Sequence, residues 1–76
     1  MEKFQVIKNG IVFELEPEED GFTITVPSLP GCISYGKTID EALEMVKDAI
    51  RGWVKVAREE NIDIPEEVEK AVFVIH

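Results

Sequence analysis

Cysteine and histidine are nearly absent: the 76-residue chain holds one of each, Cys32 and His76. A single thiol cannot close an internal disulfide, and the pair is too small a donor set for a zinc site. A lone free thiol fits a reducing, intracellular setting. Long apolar runs are missing too. No stretch approaches the ~20 residues of a membrane span, and "MEKFQVIKNG" lacks the apolar core of a secretory signal. The expected location is the cytoplasm, with no membrane partner.

Basic residues are the third scarcity. Sixteen Asp and Glu face eight Lys and Arg, for a net charge of −8. A phosphate backbone is repelled by that balance, so direct nucleic-acid binding is not expected. The same balance speeds encounter with a basic partner. Asn and Gln are scarce beside Glu and Lys, a pattern that fits a thermophilic source. The length predicts one domain, 1–76, that buries only about 60% of its unfolded surface. Without staples, association with other copies is a common remedy for so small a core.

What is present reads as α+β. In "FQVIKNGIVFEL", Asn9-Gly10 separates two apolar-rich runs, a strong hairpin signal. A two-residue loop pairs Lys8 with Ile11, Val6 with Phe13 and Phe4 with Leu15, which gathers Phe4, Val6, Ile11, Phe13 and Leu15 on one face. "PEEDG" then turns into "FTITV", and a four-residue loop would pair Leu15 with Phe22 and Phe13 with Ile24. The reverse face carries Val12, Glu14, Glu16, Thr23 and Thr25, so one sheet face is apolar and the other mostly polar. Predicted strands cover about 3–8, 11–16, 21–27 and 32–35.

The stretch "VPSLPGCISYGKTIDEAL" closes the third strand with Pro27 and Pro30, turns at Gly31 and returns as "CISY". Thr38 stands three residues before Glu41, the spacing of a helix capping box. Beyond it Ile39, Ala42, Leu43, Val46, Ala49, Ile50, Trp53 and Ala57 recur at helical spacing. The helix covers about 39–60, with Asn61 as a left-handed stop and Gly52 as an unfavourable interior residue. The tail ends in an apolar strand, about 71–75. Val72, Phe73, Val74 and Ile75 give it two apolar faces that need cover on both sides, either in the middle of the sheet or against another chain; the four are the expected oligomer interface.

Catalytic chemistry finds little support. Cys32 lacks a base, since His76 is the terminal residue, and a small buried hydrophobe is the commoner role of a lone cysteine. Ser28, Ser34 and Tyr35 have no histidine partner and no nucleophile-elbow context. Trp53 continues the core stripe. Glu14, Glu16 and Asp20 could hold a divalent metal in a nuclease remnant, yet adjacent acids near a turn are more often a solvated edge. No catalytic residue, cofactor or metal is assigned. Glu18, Glu19 and Asp20 are the residues expected to meet a basic partner.

The order of motifs adds a resemblance. Asp20-Gly21-Phe22, "VPSLPGC" at 26–32, Gly36-Lys37-Thr38, Glu41-Ala42-Leu43 and Ile64-Pro65 together resemble the HicB antitoxin family over about residues 11–65. The resemblance implies a partial ribonuclease-H-like sheet with one helix and no enzymatic activity. It also implies occlusion of a HicA-type partner, a small basic toxin that cuts mRNA with a histidine, and assembly as a dimer or tetramer. A C-terminal DNA-binding segment of the kind many members carry is not expected within residues 1–76. An orphan oligomeric accessory subunit without a toxin is the alternative.

Overall fold

The structure, a computed structural model, describes residues 2–75, and for residues 72–75 the backbone alone. Two hairpins and a returning strand build an antiparallel sheet in the order β1-β2-β3-β4. Its strands are β1 (Phe4–Lys8), β2 (Ile11–Glu18), β3 (Gly21–Thr25) and β4 (Ile33–Gly36), followed by α1 (Ile39–Glu59) and α2 (Glu66–Ile75). Asn9 and Gly10, at φ 53° and 78°, make a left-handed two-residue turn whose twist matches the flanking strands. The first hairpin has the expected register, Lys8 with Ile11, Val6 with Phe13 and Phe4 with Leu15.

The second hairpin is tighter than its sequence suggests. β2 runs through Pro17 to Glu18, Glu19-Asp20 alone form the loop, and Leu15 pairs with Ile24 rather than with Phe22. The proline that should have ended the strand is tolerated by phase. Ladder bonds alternate in direction, so Ile11, Phe13, Leu15 and Pro17 face β1 while Val12, Glu14, Glu16 and Glu18 face β3. β1 begins at Phe4, opposite Leu15. The missing N–H of Pro17 therefore points past the end of β1 and costs no ladder bond. A slip of two residues keeps every side chain on its face, which is why the expected core survives the change of register.

That core lies between the apolar sheet face and the helices. Ile11, Leu15, Ile24, Val26, Leu29, Ala42, Val46 and Ile50 are each at most 1% exposed. Burial at this level contributes about 1.5–3 kcal/mol per large side chain. α1 buries Val54 with its stripe, while Ile39, at the first turn, is 37% exposed. The capping box forms: Thr38 Oγ1 accepts from the Glu41 N–H at 3.0 Å, and Glu41 Oε1 accepts from the Lys37 N–H at 2.8 Å. The carboxylate thus serves the residue before the cap. At the far end Asn61 takes φ 56°, and the Ile62 N–H reaches the Ala57 carbonyl at 2.7 Å, a Schellman closure with Asn in place of Gly.

The C-terminal segment is helical, not a strand. α2 (Glu66–Ile75) opens after Pro65, whose carbonyl accepts from Val68 and Glu69 N–H, both at 3.0 Å. Glu66, Glu67 and Glu69 sit in its first turn, where the helix dipole favours anions. Val68 and Ala71, three apart, are 0% and 2% exposed in the core. Arg58 Nη2 donates to Glu69 Oε1 at 2.6 Å across the two helices. The good helix formers before the apolar run propagate into it, and a pattern apolar on all sides cannot by itself distinguish strand from helix.

Gly36 admits the N-terminus of α1 directly: a Cβ there would collide with the Ala42 backbone nitrogen. Gly36→Ala should therefore destabilise the fold by about 1–3 kcal/mol through overpacking, and Thr38→Ala by about 1 kcal/mol through loss of the cap. Chemical denaturation monitored by circular dichroism measures both. A Gly36→Ala protein as stable as its parent would mean that α1 does not start against β4.

Candidate functional site

α1 and α2 share one side of the sheet, and the opposite face is left uncovered by the described residues. Alternation along β2 puts Glu14, Glu16 and Glu18 in line on that open face at spacings of about 7 Å. Cross-strand neighbours add Thr25 beside Glu14 and Thr23 beside Glu16, with Tyr35 beside Thr23 on β4. Thr23 Oγ1 donates to Glu18 Oε2 at 3.0 Å. Lys3 Nζ lies 3.8 Å from Glu14 Oε1, an exposed pair of little energetic weight. The face carries a row of carboxylates edged by hydroxyls, with Ile7, Val12 and Ile33 exposed beside it.

At one end of the row, the tight turn presents Glu19 and Asp20 to solvent. Asp20 is held: Tyr35 Oη donates to its carbonyl and to Oδ1, each at 2.9 Å. Gly21 lies under that ring, and a Cβ at this position would strike the Tyr35 hydroxyl. Partial burial raises the Tyr35 hydroxyl above its usual pKa, helped by the bond to Asp20 and the charges of Asp20, Glu18 and Glu41. The three residues expected from sequence are therefore contiguous, and the row extends them to Glu16 and Glu14. The place of Tyr35 opposite Thr23 depends on the β3–β4 register, which its sequence does not specify.

The other candidates take structural roles. Cys32 is 5% exposed, and desolvation raises its pKa away from thiolate reactivity. Its loop is closed by backbone bonds from Leu29 N–H to the Val26 carbonyl, Cys32 N–H to the Leu29 carbonyl and Val26 N–H to the Cys32 carbonyl, at 2.9, 3.0 and 3.1 Å. Trp53 Nε1 donates to the Pro30 carbonyl at 3.0 Å and ties α1 to that loop. Ser34 lies within β4, and Ser28 is exposed in the loop. Among the described residues, no three His, Cys, Asp or Glu side chains converge to hold a metal ion, so Glu14, Glu16 and Asp20 form no such group. No helix of the described residues is long and apolar enough to cross a membrane. His76 and the side chains of Val72, Phe73, Val74 and Ile75, the expected oligomer interface, lie outside the described residues.

Fold and face together define a small α+β protein that backs one sheet face with helices and offers the other as an acidic surface. The chain belongs to the family of HicB-like antitoxins of bacterial toxin–antitoxin systems, which it matches over residues 10–73. It is 45% identical over 49 residues to a UPF0150 protein of Thermoplasma acidophilum, spanning 63% of this chain and 71% of that one. A UPF0150 protein of Archaeoglobus fulgidus is 44% identical over 45 residues, 58% of this chain and 65% of that one. An uncharacterized 14.9 kDa protein of Haemophilus phage HP1 is 35% identical over 51 residues, 67% of this chain but 38% of its own length. No solved structure matches the chain significantly.

Tyr35 is the single tyrosine, so absorbance titration at alkaline pH reads it without overlap. Its midpoint should lie above the ordinary value of about 10, and Asp20→Asn should lower it. Because the folded-state pKa is raised, the stability that Tyr35 contributes is complete below the unfolded pKa and is lost as pH rises through the folded one. A midpoint unmoved by Asp20→Asn would rule out the latch.

Proposed function

We propose that this chain is a non-enzymatic antitoxin that neutralises a small, basic, HicA-type mRNA-cleaving toxin by covering it. Family membership supports the antitoxin role. The single observation that supports the surface is the uncovered row Glu14, Glu16 and Glu18, continued by Glu19 and Asp20, on a chain of net charge −8. A cationic toxin is drawn to such a row from a distance, and the row then orients it. Because the sheet face is preformed, little ordering is needed on the antitoxin side. The toxin's RNA-binding surface, which must be basic to hold phosphate, is the part an acidic face would occlude. Self-association into a dimer or tetramer belongs to this reading, as does a cytoplasmic location.

Affinity capture of the tagged chain from its native cells should retain a stoichiometric small basic protein, identified by mass spectrometry. Adding the chain should abolish that protein's RNA cleavage. Glu16→Lys with Glu18→Lys should slow association at least about tenfold at low ionic strength and flatten its salt dependence. Unchanged association in that double variant would remove the sheet face from the interface. Capture of the chain alone would favour the orphan subunit.

A further inference from the structure

A groove of about 550 Å³ runs between α1 and the loop that leads into β4. Pro30, Ile33, Ala49, Gly52, Trp53 and Val56 form much of its wall, and among the described residues no charged side chain lines it. Ile33, Val56 and Ile62, which also line it, are 58%, 52% and 51% exposed. On a chain with sixteen carboxylate side chains, a charge-free surface of this kind is out of character.

The groove adjoins an open strand edge. The bond from the Val26 N–H to the Cys32 carbonyl at 3.1 Å sets the phase of the β3–β4 ladder. Ser34 and Gly36 consequently turn their backbone groups toward β3, and Ile33 and Tyr35 turn theirs outward. The two edges of the sheet are treated differently. β1 has Lys8 at one end and Lys3 just before the other, the usual guard against strand pairing. β4, "ISYG", contains neither a charge nor a proline.

We propose that a second copy of this chain occupies this surface, its β4 running antiparallel to the first about a two-fold axis at Ser34. Ile33 then stands opposite the partner's Tyr35, and each such pair exchanges two backbone hydrogen bonds. The phase allows it, because the two outward-facing residues of one strand meet the two of the other. α1 and its symmetry mate lie side by side above the seam. Ala49 and Gly52 keep that contact shallow, and the space above Gly52 is open, so the helix axes can approach to about 8–10 Å.

Charge selects the occupant. Two molecules of net charge −8 repel wherever their carboxylates face, and the uncharged groove is where they can meet without opposing like charges. A two-fold axis also requires one patch to complement itself, as an open antiparallel edge does. A four-residue strand falls short of the ~800 Å² per partner of a stable interface, and the groove beside it adds apolar area. The proposal names the surface behind the oligomeric state given above and rests on that part of the reading; the toxin contact is not needed for it.

The test uses the whole chain alone. Sedimentation equilibrium should give a dimer that persists in about 1 M salt, and hydrogen exchange should be slowed at the Ile33 and Tyr35 amides. Val56→Glu, at an exposed helix position, should weaken the dimer by about 100-fold or more with the circular dichroism spectrum unchanged. Ile33→Pro, which deletes one outward N–H and no β3 bond, should weaken it as well. A chain monomeric at all accessible concentrations overturns both the seam and the proposed oligomer. A dimer that survives both substitutions with the Ile33 and Tyr35 amides exchanging freely overturns the seam alone. Protection of those amides only in the presence of a basic protein assigns the edge to a partner's strand and also overturns it.

Discussion

The described residues bury one face of the sheet and leave the other open. Leu15 and Ile24, paired across β2 and β3, are fully buried, and α1 is the element that seals β3 and β4. Everything else follows from that one-sided arrangement. The core residues of α1 fall on a stripe because the helix has a single surface to cover. α2 is short and packs near β2, completing the cover where α1 does not reach. The face left open must be compatible with water, and Glu14, Glu16, Thr23 and Thr25 make it so.

An acidic face is inexpensive to keep exposed and informative to a partner. Carboxylates spaced along a rigid strand hold their geometry better than the same charges on a loop. Extending the row through a two-residue turn keeps Glu19 and Asp20 on the same rigid hairpin, and Tyr35 fixes the turn from the neighbouring strand. The uncharged edge of β4 adjoins this row through the same tyrosine, whose side chain belongs to the acidic face and whose backbone belongs to the edge.

Much of this was legible in sequence, for identifiable reasons. Asn9-Gly10, the Thr38–Glu41 spacing and the α1 stripe are local signals, and each produced the element it promised. The family resemblance rested on several spaced motifs and held over nearly all the matched span. Two elements misled. Pro17 suggested a strand end because its tolerance depends on which side of β2 its nitrogen faces and on where β1 stops. Residues 71–75 suggested a strand because the apolar run carries no period of its own; Val68 and Ala71 together carry the helical one. The acidic turn was visible as composition, but its latch to Tyr35 and its continuity with Glu14 and Glu16 are properties of register.

The hydrogen bond from Trp53 to Pro30 gives the molecule a reporter of its own. The chain has a single tryptophan, and its indole bridges the middle of α1 to the loop that delivers β4. Its emission colour and quenching are therefore set at the junction between helix, loop and strand edge, with no contribution from elsewhere in the fold. Loosening of that junction, local or global, would be visible in unlabelled protein by fluorescence alone.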